Sequence, residues 1–397
     1  MALLAALGIA CGSESEPPAR LESPVAKVAT APAADMTADV TSSEVEPSPG
    51  SAGFTSRTFH VNQKWKSMEG PSHVQAVKLL NPERPELLWL TGYRAAIVGA
   101  SSDQTVSQEF MCHNNLDADR RLHPDLFGWA PSKFIHFKLR LFTVSQGQFG
   151  ISFPEGFGIP VRSDEALNLT TQVLNHNVED ANLQIKHEVD IDYLRDEETD
   201  LQMIPLYPSA VFIMASLEDT DAYFDTMSED ITHEGTSCAV GSVPEGVKST
   251  AGIYEDDLGR KFTGHWVVKP GREVRHTVIT NQLGLTFDTR AHFVAAHLHP
   301  FAESLELRDL TTGESLYTAR ARGPETGIGL AHVDTYSSKE GFPLYQDHEY
   351  ELISVYDNTS GVDQDAMATF FLYLYDADAE KTVKYMRKLK EWAGEST

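Results

Sequence analysis

Positive charge is scarce in this chain. Lys and Arg total 32 against 58 Asp and Glu in 397 residues, a formal net charge of -26. A surface of that sign repels phosphate backbones, which excludes nucleic acid as a partner, and the plainest effect of the surplus is solubility. Cysteine is scarcer still: Cys11, Cys112 and Cys238 are too few for a disulfide framework, and no CxxC pair occurs. Gly-rich phosphate loops and nucleophile elbows are also missing, which removes the common nucleotide-binding and hydrolase readings. No apolar run approaches the roughly 20 residues of a membrane-spanning helix.

What is present begins at the N-terminus. Residues 1–10 are almost wholly small or apolar and end at Cys11. Leu7-Gly8-Ile9-Ala10-Cys11 resembles the end of a bacterial lipoprotein signal, although no Lys or Arg precedes the run. Export to the cell envelope is the expectation, as an outer-membrane lipoprotein or a periplasmic protein, with membrane contact only through a lipid on Cys11. Cys112 and Cys238 would then remain, for one disulfide or for metal. Residues 12–56 are rich in Ser, Pro, Ala, Glu and Thr and poor in aromatics, so they bury too little surface to offset their ordering entropy. They read as a disordered tether, with structure beginning near Phe59.

Beyond it the pattern is that of short strands. Residues 137–144, 167–174, 183–193, 210–217, 274–281, 292–298, 304–310, 350–356 and 367–375 are rich in β-branched and aromatic residues and are separated by turn formers. Helical periodicity appears only in 380–392. The expected fold is all-β: two consecutive antiparallel β-sandwich (jelly-roll-like) domains, then a short C-terminal helix. The expected divisions are a signal at 1–11, the tether at 12–56, an N-terminal sandwich at 57–205, a connection at 206–262, a C-terminal sandwich at 263–378 and the helix at 379–397. No internal repeat is visible.

The chemistry-bearing pattern is His297-Leu-His299 in an alternating stretch. On a strand, residues two apart point the same way, so Phe293, Ala295, His297 and His299 share one face and the two imidazoles can share one ion. An HxH pair by itself is also compatible with surface or hydrogen-bonded histidines. Met367 opens a later apolar strand just after the acidic turn Gly361-Val-Asp-Gln-Asp-Ala. Its thioether is either a soft ligand or core packing. Two imidazoles and a thioether suit copper, because sulfur favours Cu(I) and imidazole tolerates both oxidation states.

Here the sequence resembles the copper type II, ascorbate-dependent monooxygenases, the family of peptidylglycine α-hydroxylating monooxygenase and dopamine β-monooxygenase. The resemblance is strongest over 263–376. It is carried by His265-Trp-Val-Val-Lys-Pro-Gly271, by His297-Leu-His299, by Tyr356-Asp-Asn-Thr359 and by Met367 at a family-like separation. It implies that His297, His299 and Met367 hold the copper at which oxygen reacts. In the N-terminal half, Phe110-Met-Cys-His-Asn114 lies where the family has a His-His-Met run, and Gln172-Val-Leu-Asn-His176 where it has a further His. His113, His176 and Cys112 are therefore candidates for a second, electron-transfer copper, with His136 and His187 as spares. His233 and Cys238, five apart, form a weaker pair that is equally an ordinary loop feature.

The function so implied is a copper-dependent monooxygenase that hydroxylates a C–H bond with O2 and an ascorbate-like reductant, its two domains facing each other across a solvent-filled cleft. Peptide-hydroxylating members hold a substrate carboxylate with polar residues where this chain has Ala295, Thr369 and Phe371. The expected substrate is accordingly a neutral small molecule and not a glycine-extended peptide. The alternative is a copper-binding envelope lipoprotein without turnover. A scaffold β-sandwich without copper is a third reading.

Overall fold

A computed structural model describes residues 50–378, apart from 68, 81–84, 102–105, 121, 128–138, 217–252 and 256–259, and Val383. The signal and lipid-anchor reading at 1–11, the tether as far as residue 49, His136, His233, Cys238 and the C-terminal helix apart from Val383 lie outside the described residues.

Alternation builds the strands. In Leu183–Arg195, Ile185, His187, Val189, Ile191 and Tyr193 turn inward while Glu188 and Asp190 face solvent, the period-2 pattern of a half-buried strand. The chain is all-β, and ten strands form its largest sheet. The main path of that sheet runs Ser51–Thr55, Leu183–Arg195, Leu87–Gly99, Phe157–Arg162, Ile204–Phe212, Ala368–Tyr375, Thr289–Leu298, Tyr336–Leu344. A four-stranded sheet in the N-terminal half orders Ser72–Val77, Leu167–Val173, Met111–Asp117 and Arg140–Ser145. In the C-terminal half, five strands order Gly271–Val278, Tyr350–Asn358, Ala302–Asp309, Ser315–Arg322 and His332–Val333.

The central strands serve two cores at once. Phe293, Ala295, Phe371 and Tyr373 belong to the core of the N-terminal half, whereas Val294, Ala296, Leu298, Phe370 and Leu372 fill that of the C-terminal half. Strand alternation thus puts the face with His297 and His299 at the junction of the halves. Pro208 is tolerated in Ile204–Phe212 because that strand meets its other neighbour only at Ile204 and Pro205. The missing N–H therefore falls on an edge.

Two sequence expectations need correction. Strand structure begins at Ser51, inside the segment read as tether. Phe54 pairs with Val189, and the Gly50 carbonyl accepts from the Tyr193 N–H; a Cβ on Gly50 would lie 2.1 Å from the Tyr193 carbonyl oxygen, so only glycine fits there. The start of the expected connection is no linker either. Ile204–Phe212 is a central strand whose apolar run is buried on both faces. The two halves are bridged at one seam among the described residues. Asn177 donates to the Ile328 carbonyl and accepts from its N–H, the Leu330 N–H donates to Gln146 Oε1, and the Val333 N–H donates to the Gly147 carbonyl.

Candidate metal centre at the junction of the two halves

His297 and His299 come from the end of Thr289–Leu298 and the residue after it. Their ring centroids are 5.3 Å apart. The register sets Ala295 opposite Phe371 and His297 opposite Thr369. Met367, just before the neighbouring strand, is locked to His299: the Tyr356 hydroxyl donates to the Met367 carbonyl at 2.6 Å, and the His299 N–H donates to the Tyr356 oxygen at 3.2 Å. The chain then turns sharply at Phe301, which holds φ 71. A bulky residue with positive φ is strained and persists only where its surroundings enforce it. Here the Asp357 N–H caps the Phe301 carbonyl at 2.9 Å.

A two-stranded ribbon completes the arrangement. Trp266–Val268 pairs antiparallel with Gln364–Ala366, Trp266 against Ala366 and Val267 against Asp365. Trp266 and Ala366 point into the C-terminal core, so the residues flanking them, His265, Asp365 and Met367, belong to the opposite side. The His265 ring lies 5.6 Å from that of His299. Asp365 Oδ2 stands 2.8 Å from His299 Nδ1, within hydrogen-bonding reach. The Met367 methyl ends 3.9 Å from the point a Cβ on Gly264 would occupy.

Burial sets the electrostatics. His265, His297 and His299 are 4 %, 5 % and 2 % exposed, and neither ring nitrogen of His265 or of His297 has a hydrogen-bonding partner among the described residues. Burial first, then the neighbouring His299, pushes His265 down to about 3 and His297 well below the ordinary histidine range. Burial likewise lowers His176 to about 4. Lowered in this way, His265, His297 and His176 are neutral at physiological pH and each keeps a lone pair. Burial acts to raise Asp365, but His299, with His176 and His265 beyond it, outweighs that and holds the carboxylate at about 2. An ionised carboxylate behind one imidazole is the usual support of a metal-bound histidine, because it fixes the proton on Nδ1 and leaves Nε2 for the ion.

The candidates of the N-terminal half are placed differently. His113 reaches the same junction, its ring 6.1 Å from that of His297. Its nitrogens, however, are engaged. Thr143 donates to Asn115 Oδ1, which turns the Asn115 amide nitrogen to His113 Nδ1 at 3.0 Å, and Gln172 hydrogen-bonds the ring as well. His176 follows the turn pinned by Asn175 and has Nε2 without a partner among the described residues. Cys112 is the extra residue of a bulge between Met111 and His113 and packs on Leu174. His187 sits elsewhere in the N-terminal core, beside Asn114 and Phe59.

Sequence reasoning missed His265 and Asp365 as site residues. His265 was visible only as part of a longer motif, and Asp365 only as one charge in an acidic turn; strand pairing between segments about 100 residues apart is what joins them. Among the described residues, no three His, Cys, Asp or Glu side chains are gathered tightly enough to hold an ion as they stand. The donor types present are buried imidazoles, with His265 and His297 unpartnered among the described residues, and the thioether of Met367, whose backbone carbonyl accepts from the His299 N–H; donors of these types suit copper.

Fold and site together define an all-β protein with a buried imidazole cluster between its halves. No family model matches the chain, and no curated protein matches it. Among solved structures, a recombinant N-glycanase F (PNGase F) is similar at 9 % identity and a TM-score of 0.32, over 82 % of this chain and 96 % of that one. PNGase F, a glycosylasparaginase from Flavobacterium meningosepticum, is similar at 7 % identity and a TM-score of 0.33, over 82 % and 96 %. PNGF-II is similar at 9 % identity and a TM-score of 0.31, over 81 % and 65 %.

Proposed function

We propose that the chain is a copper-dependent monooxygenase in which His297, His299 and Met367 hold the ion. The supporting observation is a run of buried imidazoles, of which His265 and His297 have no partner on either ring nitrogen among the described residues, with the Met367 backbone bonded to that of His299. An unmet buried polar group costs roughly 1–3 kcal/mol, and an ion that takes the lone pairs removes part of that cost. Copper, when bound, supplies one-electron redox chemistry and oxygen activation. The protein's own residues do the rest: Asp365 orients His299, Tyr356 clamps the backbones of His299 and Met367, and the packed junction excludes water. O2 and an ascorbate-like reductant are the implied co-substrates. Ala295, Thr369 and Phe371, on the same strand face as His297, favour a neutral substrate, since they offer a carboxylate no cation.

A second reading, copper binding without turnover, is favoured by one observation. His297, His299 and Met367 are 5 %, 2 % and 3 % exposed, behind the bonds that join Asn177 and Gln146 to residues 328–330. Residues so buried give a substrate no direct access among the described residues. Metal analysis followed by ascorbate-driven oxygen uptake separates the readings. Near-stoichiometric copper with uptake coupled to product is expected; tight copper without uptake leaves the second reading, and no copper ends both. We propose export and lipid anchoring as well, from the sequence at Cys11; membrane retention that Cys11→Ser leaves unchanged would exclude the anchor.

A further inference from the structure

We propose that residues 323–331, the tip of the hairpin made by Ser315–Arg322 and His332–Val333, form a lid over the imidazole junction, latched to the N-terminal half by Asn177 and Gln146. Such a lid governs solvent access to the rings whether or not copper is bound. The latch is built on both sides. The Asn177 amide nitrogen donates to the Ile328 carbonyl at 3.1 Å and to Glu109 Oε2 at 2.8 Å, while its oxygen accepts from the Ile328 N–H at 2.8 Å. Gln146 accepts from the Leu330 N–H at 2.8 Å and donates to the Glu109 carbonyl at 2.7 Å. Glu109 thus holds both amides in the orientation that meets the tip. The tip answers with glycine where the approach is closest. A Cβ on Gly327, which holds φ 83, would stand 2.9 Å from Asn177 Oδ1, and one on Gly329 would stand 3.0 Å from Gln146 Oε1.

Both latch residues sit next to rings of the junction. Asn177 follows His176, whose Nε2 is buried without a partner among the described residues and whose ring interacts electrostatically with Asp365 and His299. Gln146 follows Ser145, which pairs with His113, and the His113 ring is 6.1 Å from that of His297. The alternative is a fixed brace between the halves, and the make-up of the contact argues against it. At Ile328 and Leu330 the latch bonds go to main-chain groups, so the tip can leave and return with its side chains unchanged. Within the tip only Gly329 and Leu330 are buried, and residues 325–327 are exposed. A segment held by few bonds and little apolar burial lies at the low-stability end of a fold. The base of the hairpin is held separately, by Ala321 against Val333, Arg322 against His332, and the Val333 N–H on the Gly147 carbonyl. The tip is therefore the part that swings.

Solvent access to single histidines tests the lid, in the full chain with a chelator present. Diethyl pyrocarbonate acylates neutral imidazoles that solvent reaches, and peptide mass mapping gives a rate for each ring. Asn177→Ala with Gln146→Ala should raise the rates at His176 and His297 at least tenfold and leave that of His187, in the N-terminal core, unchanged. A clamp tests the opposite sense. A Cβ on Gly327 would lie 3.1 Å from Asn177 Cγ, and in a disulfide each sulfur lies about 3 Å from the partner's Cβ, so Asn177→Cys with Gly327→Cys can close one. Oxidation should then lower the rates at His176 and His297, and reductant should restore them. An unchanged His297 rate in the unlatched variant overturns the lid. A rise at His187 in step with His297 overturns it as well, because access then comes from global unfolding. Equal rates in the oxidised and reduced clamp overturn it independently, since solvent then reaches the rings by another path. The clamp comparison is made within one chain and decides even if the unlatched variant fails to fold.

Discussion

His187 and His297 are equally deep in the molecule and lie in different settings. His187, at an inward position of Leu183–Arg195, is fully buried in the N-terminal core; its Nδ1 takes a hydrogen from the Asn114 amide at 3.3 Å, and Phe59 meets its ring edge-on. Asn114 is itself held by the Tyr93 hydroxyl. His297 has no such partner on either nitrogen, and its nearest rings are the imidazoles of His299 and His113. Burial alone does not make a site, since burial lowers both rings. What distinguishes the junction is that the ring nitrogens of His297 and His265 are buried there without a partner among the described residues. The same contrast separates the two sets of candidate ligands. His113 is saturated by Asn115 and Gln172, whereas the C-terminal rings are not.

The largest expected effect tests that contrast directly. His297→Ala with His299→Ala should remove nearly all bound copper, while His187→Gln, whose carbonyl can replace Nδ1 as acceptor, should retain it. Metal analysis of folded protein decides, and full retention by the double variant would return both rings to ordinary packing. A smaller loss is expected from Asp365→Asn. An amide behind His299 no longer fixes the Nδ1 proton, and loss of such a supporting group typically weakens metal binding about 10–100-fold. Competition with a chelator measures it, and Asp365→Glu should restore part of the affinity. Unchanged affinity in Asp365→Asn would mean that the carboxylate only balances charge among the histidines.

The sequence revealed the fold class and the strand faces because both depend on local alternation. Residues 167–173, 292–298 and 350–356 are strands as expected, and His297, Ala295 and Phe371 meet at one junction because the period is 2. What sequence could not reveal depends on pairing between distant segments. The helical turn Thr280–Leu283 ends a strand expected to reach residue 281; the Gln282 side chain there exchanges two hydrogen bonds with the Phe212 backbone, a partner 70 residues away. His265 and Asp365 join the centre through a ribbon only three residues long on each side. The seam between the halves, too, rests on Asn177 meeting residue 328. None of these contacts leaves a periodic trace.

The smallest effect expected is on stability in acid, and it sharpens the comparison from the side of His187. Burial lowers this ring from the ordinary histidine range to about 3. Between those two values the unfolded chain binds a proton that the folded chain refuses. The contribution of a neutral buried histidine is therefore complete above about pH 6.5 and is lost as pH falls towards about 3. The slope in that window is about 1.4 kcal/mol per pH unit for one proton. His176 and His265, lowered by burial in the same sense, add to the total slope of the metal-free chain. His187→Gln removes only its own share. Urea midpoints of metal-free wild type and variant, taken at intervals between pH 6.5 and the lowest pH at which both still fold, should differ in slope by about one proton. The variant should be the less acid-sensitive protein, whatever its absolute stability. Parallel slopes would mean that His187 already carries a proton in the folded chain. Asn114 would then have to present its carbonyl to the ring and not its amide, and the distinction between a partnered core histidine and the lone pairs at the junction would weaken accordingly.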